Sequence, residues 1–503
     1  MSLLWYRNTS GSIVSDPLQG HFVATTPEEL DLYLRLETTR QIFLTMQEYD
    51  LSGLVGAGYP IKDHPCFLVG AGRRVSVIKG LPDQDLFCLE NNYKQFSVDR
   101  VGFQDWRRVV WLKGLNDHDQ VEVTNFGMDN VQLGVGEISS GPEAAGFPSS
   151  LNNLERLVVR NGSYENLRGF GVQVLCQENA WLKHIDISHN SINGISSPGS
   201  AIGFAVSVFP SDRSPDHAHT DNRSSVHVTF NTVYDVFGNV GNNNNSVIDG
   251  ILLSGVTNAT MHGNIVIDTN GEGGVYNRQS DNYATVGNVV VGTADVPVGP
   301  LYGILAKTSE NSAHIGNVAR GCLNGMQIQN CENSVVSGNV TADFTFQGAQ
   351  FDRNEKLVAT ANLFISDDGT TVPSSLQGTV FMAIRDHNKF SDNLIVDSSD
   401  QAPLRLINAG GDQIDEFHAT GNTIWNPNRN EMIETRILAP ASLDVFSVAD
   451  NVSADIGVIV SHTAVEPGYT TLHGNRSLGS TPPVPVNPVV NPVPAGSVHA
   501  DNS

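Results

Sequence analysis

Two carboxylates, Asp249 and Glu272, stand one and two residues ahead of Gly250 and Gly274. Those glycines open two segments of like pattern, Gly250-Ile-Leu-Leu-Ser and Gly274-Val-Tyr-Asn-Arg. If the segments stack, the two acids fall at neighbouring corners, within the range where one carboxyl serves as acid and the other as base or nucleophile toward a glycosidic bond. Corner carboxylates also accept hydrogen bonds from turn amides without any catalytic role. The pattern alone leaves both readings open.

The segment returns as Gly303-Ile-Leu-Ala-Lys, Gly325-Met-Gln-Ile-Gln and Gly348-Ala-Gln-Phe-Asp. Side chains alternate across a strand. With the first and third residues after each Gly directed inward, one outer row is Leu252, Tyr276, Leu305, Gln327 and Gln350. The other is Ser254, Arg278, Lys307, Gln329 and Asp352. At a spacing of about 4.8 Å such a strip suits a sugar chain. Tyr276 would offer a ring face to pyranose C–H groups, and Gln327, Gln350 and Asp352 would bind hydroxyls. Tyr276, Arg278 and Lys307 also supply the parts of β-elimination, a cation to neutralise a uronate and a Tyr or Lys to remove the C5 proton. A solvated sheet face that binds nothing would carry the same residues.

A polar excursion, Ser211 to Arg223, contains Asp216-His217-Ala-His219-Thr-Asp221. His-x-His on an extended segment places both rings on one side, as a metal site would require. Isolated in a polar loop, the segment reads instead as a set of substrate contacts from Asp216, His217, His219, Asp221 and Arg223. A second loop, Asn242–Asn245, follows it. No metal and no other cofactor is expected.

These residues need a scaffold that brings distant segments side by side, and a repeat provides one. A short apolar run, often a Gly, then Asn, then another apolar run recurs at Asn190, Asn231, Asn264, Asn288, Asn317, Asn339, Asn362, Asn393, Asn422, Asn451 and Asn475. Successive intervals are 41, 33, 24, 29, 22, 23, 31, 29, 29 and 24 residues. The shortest match the perimeter of a three-strand coil, and the longer ones are that perimeter plus a loop. A leucine-rich repeat lacks its Leu scaffold here, and a propeller blade needs about 40 or more residues. The Asn is expected at a sharp bend in the left-handed region, which it tolerates, its amide stacking into a ladder. The fold expected is all-β, a right-handed parallel β-helix with a short capping helix.

Composition agrees. Charged residues are 16% of the 503, against roughly 25% in typical chains, and 48 Gly favour turns over helices. A net charge of −24 argues against nucleic acid, whose binding needs clustered Lys and Arg. The five Cys are odd in number and match no metal-site spacing, so they read as small buried hydrophobes. No apolar run is long enough to span a membrane. The start, Met1-Ser-Leu-Leu-Trp-Tyr-Arg, lacks the pattern of a secretory leader. Cytoplasmic, virion-associated and leader-processed origins all stay open.

Three regions follow. Residues 1–40 hold a helix beginning at Thr26-Pro27-Glu28-Glu29, with Thr as cap and Pro at the first helical position; it runs to about Leu36 and covers the open end of the core. Residues 41–480 are the solenoid. Residues 481–503 begin Thr481-Pro-Pro-Val-Pro and are expected to be an extended, mobile tail.

With its Asn-ended coils, residues Gln41 to Asn475 resemble the pectin-lyase-like superfamily of right-handed β-helices. That group includes polysaccharide lyases, glycosidases, alginate epimerases and phage tailspike depolymerases. The opening Ala24-Thr-Thr-Pro-Glu-Glu-Leu and Tyr49-Asp-Leu-Ser-Gly53 look like that group's N-terminal segment. The spacing from Gly250 to Asn422 is faintly similar to inulin fructotransferases, but Gly263 and Tyr276 stand where their acidic pair would be. The resemblance implies a carbohydrate-active enzyme, a hydrolase or transferase using the acidic pair. The alternatives are a lyase using Tyr276, Arg278 and Lys307, or a non-catalytic carbohydrate-binding or tailspike attachment protein. It also implies a polysaccharide partner and a homo-oligomer, most simply a trimer, which would cover outward Leu252 and Leu305.

Overall fold

The computed structural model describes residues 20–45, 47–54, 58–90, 95–113, 117–136, 151, 153–177, 181–197, 200–209, 224–238, 248–293, 301–366, 379–397, 402–408, 413–425, 431–437, 442–453, 458–464, 469–477 and 489–491. Apart from one helix these residues are strands and the turns between them. The first strand, His21–Ala24, pairs in parallel with Arg40–Leu44; from there each strand pairs in parallel with the one three places further along the chain, so that three strands make one coil. The chain divides into two compact units, residues 1–214 with 219–260, and residues 215–218 with 261–503. Each is a right-handed parallel β-helix with three parallel sheets.

In the first unit one coil runs Asn153–Arg160, Ser163–Leu167, Phe170–Gln177. In the second unit a coil runs Asp281–Val286, Val289–Val291, Tyr302–Lys307. The three strands of each coil belong, in chain order, to the first, second and third sheets. Inward positions stack like on like. Val275, Ile304, Met326 and Ala349 line the third sheet of the second unit, and Val290, Ala319, Thr341 and Phe364 line the second sheet, all at most 1% exposed. Each larger aliphatic side chain so buried contributes roughly 1.5–3 kcal/mol. The five Cys are buried and unpaired.

The asparagine ladder is present, with a correction to its geometry. The left-handed residue is the one before each ladder Asn: Gly263, Gly287, Gly316, Gly338, Ala361, Asp392, Gly421, Asp450 and Gly474 have φ between 56° and 68°, apart from Asp450 at 54°. The Asn itself turns inward and is at most 2% exposed from Asn264 to Asn475. Its Oδ1 accepts both the backbone N–H and the Nδ2–H of the Asn one coil earlier, at 2.9–3.1 Å from Asn264 through Asn475. Asn190 and Asn231 do the same in the first unit. The Asn is therefore selected for its amide, which satisfies buried backbone groups where the coil leaves the sheet, and the Gly ahead of it for its φ.

The helix is Pro27–Leu34, with Leu30 and Leu34 buried. Thr26 Oγ1 accepts from Glu29 N at 3.2 Å as expected, but the Glu29 carboxylate turns to Thr25, accepting from its N and Oγ1 at 2.7 Å. At the other end, Val489–Asn491 adds a strand parallel to Val458–Ala464. These residues lie inside the segment from Thr481 that is expected to be an extended, mobile tail.

Two histidines lie inside the described core. His118 in the first unit and His314 in the second are each pushed down to about 4 by burial. His118 Nε2 meets the Lys113 carbonyl at 3.1 Å, and His314 Nε2 meets the Tyr283 hydroxyl at 3.1 Å. A base with a lowered folded pKa binds fewer protons than the unfolded chain between the two values. Its contribution to stability is therefore full above about pH 6.5 and lost as pH falls toward 4, on the order of 3 kcal/mol for each ring. Asp281 in the second unit, pushed up to about 6, works with the opposite sign over the same window. Hydrogen-exchange protection should accordingly fall between pH 6.5 and 4 more steeply in the paired strands Asp117–Thr124 and Asn153–Arg160 than in Asp281–Val286 and Glu310–Ile315. His118→Phe should flatten the first slope; an unchanged slope in that variant would refute the assignment.

Candidate functional site

The outer face of the third sheet in the second unit carries the expected row in register. Arg278 faces Lys307, Lys307 faces Gln329, and Gln329 faces Asp352 on successive strands. Arg278 is exposed, while Lys307, Gln329 and Asp352 are half-buried. Glu272 forms an ion pair with Lys307, and Gln329 Nε2 donates to Asp352 Oδ2 at 2.9 Å. The Lys307 ammonium lies 5.7 Å from the Tyr276 ring centroid and 5.8 Å from that of Tyr302. Burial, with the Glu272 charge second, pushes the Tyr302 hydroxyl up from its ordinary value.

Several expectations change. Tyr276 is 4% exposed and Gln327 4%, so neither lays a broad face against a sugar; Gln350 stays half-buried. The row two residues past each Gly is largely covered. Leu305 is 1% exposed, and Leu252, partly buried, packs against Leu133, Phe170, Ile202 and Ala205. Neither leucine needs a partner chain to cover it, which removes the physical reason given for a trimer. Asp249 lies in the first unit in register with Ile202, wholly buried, because it sits within the strand Ile248–Ser254 and not at a solvent-facing corner. Glu272 is in the second unit and already neutralised by Lys307. Asp216, His217, His219, Asp221 and Arg223 lie outside the described residues, as does the Asn242–Asn245 loop. Among the described residues no three His, Cys, Asp or Glu side chains converge as a metal site.

A second acidic group lies around the corner from the strip. Three residues past Arg278, Lys307, Gln329 and Asp352 come Asp281, Glu310, Glu332 and Glu355. They pair in register from coil to coil where the first sheet begins. Glu332 is neutralised by Lys356 at 2.7 Å and Glu355 by Arg385 at 3.4 Å. Asp281 and Glu310 have no ion-pair partner among the described residues. Asp281 is 6% exposed, and its Oδ1 accepts from Glu310 N at 3.3 Å. Burial, reinforced by the Glu310 carboxylate, pushes the Asp281 carboxyl up to about 6. Two carboxylates on adjacent strands, one holding its proton far above the ordinary carboxylate range, form an acid–base pair in chemical terms. The sequence carried a signal for them, an acid three residues after each strip residue in four consecutive coils. It becomes legible once the strip is known to end at a corner.

No family model and no curated protein matches the chain. Solved structures do. A mannuronan C-5 epimerase A-module from Azotobacter vinelandii aligns over 88% of this chain and 91% of its own, at 13% identity and a TM-score of 0.26. A mannuronic acid specific polysaccharide family 6 lyase from human gut microbiota covers 86% of each chain at 9% identity, TM-score 0.35. The Dettilon tailspike protein aligns over 87% of this chain and 66% of its own, at 10% identity and a TM-score of 0.33.

Proposed function

We propose that the protein hydrolyses glycosidic bonds of a polysaccharide, with Asp281 as general acid, Glu310 as nucleophile, and Arg278, Lys307, Gln329 and Asp352 holding the sugar chain. The observation that carries this is the raised Asp281 carboxyl, about 6, beside the Glu310 carboxylate on the neighbouring strand. Strands stand about 4.8 Å apart, close to the roughly 5–5.5 Å carboxyl separation of retaining glycosidases and short of the 6.5–9.5 Å that inverting ones need for a water. In the proposed reaction Asp281 gives its proton to the glycosidic oxygen as the Glu310 carboxylate attacks the anomeric carbon. Water then breaks the glycosyl ester, its proton passing to Asp281 and restoring both groups. The anomeric configuration of the product should be retained.

Elimination is the second reading, favoured by Lys307 lying 5.7 and 5.8 Å from two tyrosine ring centroids. It lacks a ready base: the Lys307 ammonium is committed to Glu272, and the Tyr302 hydroxyl holds its proton more tightly than usual. A panel of neutral and uronic-acid polysaccharides tests all readings. New reducing ends without ultraviolet absorbance support hydrolysis. A new C=C absorbance would replace it with elimination, and retention of a polysaccharide without products would replace both with a binding role. The acid must be protonated to act, so kcat/KM should fall about tenfold per pH unit above roughly pH 6. A profile flat from pH 5 to 8 would remove Asp281 from the role.

A further inference from the structure

On the outer face of the second sheet in the first unit lies a groove of about 260 Å³. Its floor is a register row, Val77, Gly102, Gly127 and Ser163 on four successive strands. Two glycines leave that floor flat. The turn after Gly72, closed by Val75 and Ser76 N–H groups donating to the Gly72 carbonyl at 2.8 Å, lays Arg73 and Arg74 over one side. Gly102 is required for this: a Cβ there would stand 2.2 Å from the Arg73 carbonyl oxygen. Gly127 is not so constrained, since its nearest neighbour to an added Cβ would be Ser163 Oγ at 3.5 Å. Two residues past the floor row come Lys79, Gln104, Asp129 and Glu165; the last three line the groove, while Lys79 is paired with Glu48 at 2.9 Å.

Charge is separated across this groove. Arg73 and Arg74 are exposed and have no ion-pair partner among the described residues. Glu165 is exposed, and Asp129 accepts from Asn166 Nδ2 at 2.9 Å. Left to themselves, surface guanidinium and carboxylate groups at this range gain little by closing on each other, and here the flat floor keeps the walls apart. A ligand that offers a carboxylate to one wall and hydroxyl donors to the other satisfies both. The volume lies just under the roughly 300–1,000 Å³ of sites for drug-sized molecules, so the ligand is small. We infer that this groove binds a uronic-acid sugar unit, its carboxylate on Arg73 and Arg74 and its hydroxyls on Gln104, Asp129, Ser163 and Glu165. The inference does not depend on the reading of Asp281 and Glu310, which belong to the other unit.

The test is a titration of the full chain with sodium glucuronate, followed by saturation-transfer NMR, beside glucose, acetate and inorganic phosphate. Glucuronate should bind at least about tenfold more tightly than each of the three. Arg73→Ala, Arg74→Ala and Gly127→Val should each weaken it by about tenfold or more with the melting temperature unchanged. Gly127→Val fills the floor without removing a charge, its added Cβ standing 3.7 Å from the Arg73 Cβ in ordinary contact, so it reports the groove itself. Equal binding of acetate or phosphate would reduce the site to a general anion contact and overturn the inference. So would glucuronate binding that survives all three substitutions, or no glucuronate binding by the unaltered protein.

Discussion

Asn317→Ala should lower the stability of the second unit by about 4 kcal/mol or more, the largest effect expected of any single polar substitution in it. Asn317 is 1% exposed. Its Oδ1 accepts the Asn288 N–H and the Asn288 Nδ2–H at 3.0 Å, and its Nδ2 donates to the Thr285 carbonyl and to Asn339 Oδ1 at 2.9 Å. Alanine leaves all of these groups buried without that partner, at roughly 1–3 kcal/mol for each one that water cannot reach. Asn317→Asp keeps the acceptor and loses the donor, and it faces Asn339 Oδ1 with a charge. It should be destabilising at pH 7 and recover in part as the carboxyl is protonated. Urea unfolding with hydrogen exchange across Tyr283–Val340 measures both. An Asn317→Ala protein within 1 kcal/mol of the parent would show that the ladder does not hold the coils.

Asp281→Asn and Glu310→Gln should each remove about 10²–10⁴ of the hydrolytic rate, with the loss in kcat instead of KM. Neither should unfold the protein. Asp281 is held above its ordinary pKa by burial and the Glu310 charge, so at pH 7 its ionised form costs stability, and Asn there should leave the melting temperature equal or higher. The same sign argument separates catalysis from scaffold: a catalytic loss accompanied by a gain in stability cannot be blamed on misfolding. Lys307→Met should raise KM, because in the proposed reaction it contacts the sugar chain and transfers no proton. If both acid variants keep full activity while Lys307→Met abolishes it, the chemistry belongs to the Glu272, Tyr302 and Lys307 cluster.

What the chain determined by itself is the coil. The Asn spacing, the Gly-led segments and the alternation after each Gly specify three strands per turn, inward Val275, Ile304 and Met326, and the register of Arg278, Lys307, Gln329 and Asp352. These follow from local rules, the period of a strand and the sterics of a bend, which neighbouring residues express wherever they occur. The left-handed residue is the one before each Asn, a choice the sequence leaves open because Gly-Asn satisfies the bend in either assignment. What fixes it is the next coil, whose Asn Oδ1 must face the buried N–H of the Asn before it.

The candidate site depends on information that no local rule carries. Asp249 and Glu272 look equivalent in sequence, yet one is wholly buried in the first unit and the other is neutralised by Lys307, 35 residues away. Tyr276 alternates outward as expected, and its exposure is nevertheless 4%, since covering depends on which groups pack over a face and not on which face a strand presents. Asp281 and Glu310 matter because two coils bring them into register 29 residues apart, where low exposure and a like charge together hold a proton on one of them. Spacing sets which residues can meet. Burial and the company of other charges, which exist only once the coils have stacked, decide what those residues can do.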